Sequence, residues 1–145
     1  MARNKHIVVG LVMIALTVAF SVPFQAQRDE PQAQEIHIYV LDFSFRPHDG
    51  NPGDPIRIEA GKPYLITFEN EGGIDHEIRF GRNPTANFDG YQENLFDGML
   101  ALHLRPGEFA TLLIQVPSEK KGTWEIGCFL PGHYQAGQKE PLIVE

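Results

Sequence analysis

The chain has 145 residues, enough for one domain with a real core and too few for two. Ten of its 12 Lys and Arg and all 19 Asp and Glu follow Ala26, which gives that part a formal balance of −9. It lacks the clustered cations that neutralise phosphates, which argues against a nucleic-acid ligand, and its acidity suits either plain solubility or a partner with a basic docking face.

The N-terminus is a basic head, Met1 to His6, followed by 18 uncharged residues, Ile7 to Phe24. That is the pattern of an export signal, predicted as a hydrophobic helix. Two fates fit residues 1–26. Ala19-Phe20-Ser21 is an acceptable small-x-small cleavage site for a removed signal peptide, while 7–24 reaches the lower limit for a retained membrane anchor. In both cases the remainder is placed outside the cytoplasm, in a periplasm or on the outer face of the cytoplasmic membrane. Residues 27–35, QRDEPQAQE, hold no aliphatic side chain larger than Ala and are expected to be a tether.

From residue 36 to 145 the apolar residues recur at every second position, the period of a strand. Ile36, Ile38 and Val40 share one face of the first segment, with His37 and Tyr39 opposite. Further segments follow at 56–60, 64–70 (Tyr64, Ile66, Phe68 together), 76–80, 109–116, 123–129 (Trp124, Ile126, Cys128 together) and 142–144. Gly, Pro, Asp and Asn fill the connections. The expectation is an all-β fold, a Greek-key antiparallel sandwich of about 110 residues. Residues 81–108 make a long connection with apolar residues of its own (Phe88, Tyr91, Phe96), expected to pack as a crossover with a small core; 91–104 has room for a turn or two of helix.

Chemistry concentrates at Cys128, His133 and Gln138, spaced five residues apart. One cysteine cannot form an internal disulfide, and a free thiol in an oxidising compartment is a liability unless shielded or occupied. Leu130-Pro131-Gly132 turns the chain so that His133 returns to the sulfur, and Gly137 lets Gln138 fold over the same spot. A second imidazole comes from His76, where the Gly-rich turn of NEGGIDHEIRF gives way to a strand. His6, His37, His48 and His103 are read as solvated or hydrogen-bonded.

Two imidazoles, a thiolate and a weak fourth ligand are what a trigonal type 1 copper site uses, with Met or Gln on the axis. Three other readings of the same residues remain open: a structural zinc, a cysteine nucleophile with a histidine base, and a metal-free core in which Cys128 is a small hydrophobe. The nucleophile lacks an evident oxyanion hole and a helix N-terminus to lower its pKa.

Asn70 and His76 (N-x5-H) before a middle strand, with Cys128, His133 and Gln138 (C-x4-H-x4-Q) before the last, make the segment 36–145 resemble the cupredoxin family, with loop spacing similar to its rusticyanin and auracyanin members. The resemblance implies His76, Cys128 and His133 as equatorial ligands of one copper ion cycling between Cu(I) and Cu(II). Gln138 stands on the axis, where most soluble bacterial members have Met. It further implies a monomeric electron carrier, not an enzyme, serving a redox protein such as a cytochrome or a membrane oxidase complex. The alternative is a copper-tolerance protein that buffers or delivers copper. A binuclear copper centre needs two cysteines, and a trinuclear cluster needs His-x-His pairs; the sequence has neither. Phe129, Leu130, Pro131 and Tyr134 are expected to form an apolar rim around His133.

Overall fold

The structure, a computed structural model, describes residues 32–98 and 101–145. The hydrophobic helix expected at 7–24 lies outside them, as does the possible cleavage site. Among the described residues no helix is long and apolar enough to cross a membrane.

Among the described residues ten strands form two packed sheets. The first sheet contains β1 (Gln34–Leu41), β2 (Ser44–Pro47), β4 (Pro63–Asn70) and β8 (Phe109–Gln115), in the order β2-β1-β4-β8. The second contains β3 (Ile56–Ile58), β10 (Lys139–Val144), β9 (Gly122–Gly127), β5 (His76–Pro84) and β6 (Tyr91–Asn94) in that order, with β7 (Leu102–Leu104) paired to the start of β5. The first strand begins at Gln34, so the last two residues of the expected tether already pair with β4.

The inward faces follow the predicted alternation. Ile38, Val40, Tyr64, Ile66 and Phe68 from one sheet meet Ile78, Trp124, Ile126 and Leu142 from the other, all buried in one core. Burying each such side chain contributes roughly 1.5–3 kcal/mol, so this interior dominates the stability of the fold.

The expectation of purely antiparallel pairing is corrected. β1 runs parallel to β4 and β3 parallel to β10, so both sheets are mixed. Period-two patterning is the same in parallel and antiparallel strands, and the distinction lies in connections that cross from sheet to sheet.

The long connection is also more regular than expected. Gly81 to Pro84 extend β5, and β6 returns antiparallel to them. Leu95 joins the main core, and no helix occurs among the described residues of 91–104. Tyr91 lies over Gly81 and Gly127: a Cβ on either glycine would come within 2.4 Å of the tyrosine. Both backbone positions are therefore hollows that the ring fills.

Candidate metal centre

The ends of three strands converge at one pole of the sandwich. His76 opens β5, Cys128 follows the last residue of β9, and Gln138 precedes β10. His133 sits between them on a tight loop. The His133 amide donates to Leu130 O (3.0 Å), the Gln138 amide donates to His133 O (3.1 Å), and the Cys128 amide closes the loop on Gln138 O (3.1 Å). Gly132 (φ 86°) and Gly137 (φ 109°) supply the left-handed backbone this compact path requires.

One ligand atom from each of His76, Cys128 and His133 lies within 4.8 Å of the others. Gln138 Oε1 stands 2.9 Å from His76 Nδ1 and 3.0 Å from His133 Nδ1, and Cys128 Sγ is 3.4 Å from His133 Nδ1. The two imidazole rings meet edge to face at 5.3 Å. His76, Cys128 and Gln138 are buried, whereas His133 is half-buried and faces the surface. All four sequence-predicted residues therefore come together. His37, His48 and His103 stand apart: His37 meets Glu69 at 3.0 Å, His48 bonds Tyr39 at 2.9 Å, and His103 lies 3.8 Å from Asp75.

Burial sets the protonation chemistry. It pushes the Cys128 thiol up, with the Glu77 and Leu130 backbone amides opposing, and it pulls His76 down against the nearby acceptor oxygens of Asp42 and Gln138. The Glu77 amide donates to Cys128 Sγ at 3.3 Å. A fully buried thiol with a raised pKa is the opposite of an activated nucleophile, which argues against the reading of Cys128 as a nucleophile with a histidine base.

A cation fits the donor set. A neutral imidazole carries one ring proton. At His76 an acceptor oxygen lies near each nitrogen: Gln138 Oε1 beside Nδ1, and Asp42 Oδ1 at 3.5 Å from the buried Nε2, which has no hydrogen-bond partner among the described residues. Without a cation, one lone pair must face an oxygen. A cation held by Nδ1 takes that lone pair and leaves the proton on Nε2. Two imidazoles, one thiolate and one neutral amide oxygen match a single type 1 copper ion.

Asn70 carries no ligand atom and holds the loop. Its Nδ2 donates to Ile74 O (2.9 Å) and Leu104 O (3.1 Å), and its Oδ1 accepts from the Gly72 amide (2.9 Å). Two residues escaped the sequence reading: Asp42 beside His76, and Phe43, whose ring meets that of His133 edge-on at 5.3 Å. The fold places them in a two-residue hairpin loop between β1 and β2, with Phe43 at a φ of 65° that non-glycine residues seldom adopt.

The expected rim is rearranged. Phe129 and Tyr134 are buried, stacked on each other at 4.8 Å and packed with Tyr91. Leu130 is half-buried and Pro131 exposed. The large apolar side chains exposed on this pole's loops are Phe43 and Ile74, with Phe88 stacked on Tyr134.

No protein-family profile and no curated protein matches the sequence. Solved structures do match the fold, which is that of the cupredoxins. Auracyanin from Roseiflexus castenholzii, in a dithionite-reduced crystal, superposes with a TM-score of 0.59 at 19% identity, over 78% of this chain and 98% of that one. Auracyanin B gives 0.58 at 20% identity over 81% and 92% of the two chains. Rusticyanin from Thiobacillus ferrooxidans gives 0.57 at 18% identity over 79% of each.

Proposed function

We propose that this chain is a mononuclear type 1 copper protein that carries single electrons between redox partners outside the cytoplasm, reached through its N-terminal segment. The observation that carries the reading is the convergence of His76 Nδ1, His133 Nδ1, Cys128 Sγ and Gln138 Oε1 on one small volume. A bound copper ion supplies one-electron chemistry between Cu(II) and Cu(I).

The protein's part is to hold three ligands still while the fourth remains weak. His76 and Cys128 are fixed by core strands, so the ligand geometry changes little with oxidation state. His133 is the ligand nearest the surface, and its half-buried ring with Phe43 at its edge offers the shortest path for an electron to a docked protein. The neutral Gln138 oxygen adds no charge and is a harder donor than a thioether, which favours Cu(II).

Adding one equivalent of Cu(II) to protein lacking residues 1–26 and recording visible and electron paramagnetic spectra tests this. The expected result is an intense thiolate-to-copper band that Cys128→Ser abolishes. A colourless stoichiometric complex would overturn the proposal and favour zinc or a non-thiolate site.

A further inference from the structure

The hairpin turn between β1 and β2 lies remote in sequence from every residue of the metal centre except through the fold, yet its first residue reaches the buried side of His76. Asp42 Oδ1 stands 3.5 Å from His76 Nε2 and also accepts the Gly73 amide at 2.9 Å. The space they share is kept open by Gly72. A Cβ there would sit 2.3 Å from Asp42 Oδ1, 3.0 Å from His76 Nε2 and 3.1 Å from Asn70 Oδ1. A side chain at position 72 would drive the carboxylate away from the ring. The Gly-Gly turn is thus the gap through which Asp42 approaches.

We propose that Asp42 is a positioning residue for the copper site: its carboxylate accepts the Nε2 proton of His76 and so fixes the tautomer that presents Nδ1 to the metal. This rests on the copper reading above. Three observations carry it. Among the described residues His76 Nε2 is buried and has no hydrogen-bond partner, so its proton has no water to turn to. Asp42 is the acidic side chain against it. The Gly73 amide holds that carboxylate in place on the side facing the ring. A carboxylate behind a ligating imidazole orients the ring, raises its basicity and places negative charge one ring away from the metal. The raised basicity and the added charge favour Cu(II) over Cu(I).

Asp42→Asn keeps an acceptor oxygen and removes the charge; Asp42→Ala removes both. In wild-type protein loaded with Cu(I), nitrogen-15 spectra of the histidine rings are expected to show His76 as the Nε2–H tautomer with a slowly exchanging proton. Asp42→Asn should retain that proton but shift the ratio of Cu(II) to Cu(I) affinity about threefold to tenfold toward Cu(I), a rise in potential of ~30–60 mV at 59 mV per tenfold for one electron. Asp42→Ala should speed exchange of the proton and weaken copper binding about tenfold or more. Wild-type potential in Asp42→Asn, or an unprotonated Nε2 in the wild type, would overturn the inference while leaving a blue protein blue. If Asp42→Ala fails to fold for want of the Gly73 bond, the wild-type spectrum and Asp42→Asn decide alone. Absence of the thiolate band from wild-type protein with Cu(II) is a separate failure, and it removes the copper reading and this inference together.

Discussion

Gln138 uses both ends of its amide. The oxygen lies between the two imidazoles, and Nε2 donates to Leu41 O at 3.1 Å, so the side chain is locked with its oxygen inward. Gln138→Met exchanges that oxygen for a soft thioether and is expected to raise the reduction potential; a redox titration giving an equal or lower potential would show that the amide oxygen does not act on the metal. The same variant loses the bond to Leu41, which should lower stability by about 1 kcal/mol in denaturant titrations. Phe43 is the other residue whose role is local. Its exposed ring covers the edge of His133, and Phe43→Glu would set a charge where two molecules must touch. The electron self-exchange rate, read from NMR line broadening in mixed Cu(I)/Cu(II) samples, is expected to fall about tenfold or more with the visible band unchanged.

Among the elements, Tyr91 of β6 lies over Gly81 of β5 and Gly127 of β9. The tyrosine ring packs edge-on to Phe129 at 4.7 Å, and Tyr134, stacked on Phe129, donates to Glu125 at 2.7 Å. Burial first, then the nearby Glu125 charge, raises the Tyr91 phenol far above its ordinary range, and Tyr134 is pushed up by burial and its bond to Glu125, so both stay protonated. This cluster backs the ligand loop at Phe129 and Tyr134. Gly81→Ala would thrust a methyl into the base of the Tyr91 side chain, and a loss of about 1–3 kcal/mol in unfolding free energy is expected, as for an overpacked core site. An unchanged denaturation midpoint would mean that Tyr91 is not held there.

For the molecule as a whole, Glu140, buried on β10, links stability to pH. One oxygen accepts the Gly53 amide at 2.9 Å and the other has no partner among the described residues. Burial, aided by the charge of Asp54, raises its pKa from 4.5 to about 7. A carboxyl raised on folding contributes stability that is fully present below its unfolded value near 4.5 and lost as pH climbs through about 7. The loss is on the order of 3 kcal/mol. His76 opposes this in the metal-free protein: lowered by burial, it favours the fold above its ordinary 6.5 and loses that contribution as pH falls. Denaturant midpoints of wild type and Glu140→Gln isolate the carboxyl. Their difference is expected to grow between pH 5 and 8 with the variant the more stable, and parallel profiles would place the titration elsewhere.

The sandwich and the four converging side chains were legible because their signals are local. Alternation marks strands, and Cys128, His133 and Gln138 lie on one loop whose turn residues bring them together. His76 was readable as a histidine at the junction of a glycine turn and a strand. Asp42, Phe43 and the burial of Phe129 and Tyr134 were not, since each depends on which segment lies opposite in space. The parallel pairing of β1 with β4 was hidden for the same reason: period-two patterning fixes which face of a strand is buried and is blind to the direction of its neighbour. By itself the sequence determined which side chains converge at this pole and what chemistry their atoms permit. Only the tertiary structure decided what stands behind each ligand, because burial and the far-side partners of a ring come from segments distant along the chain.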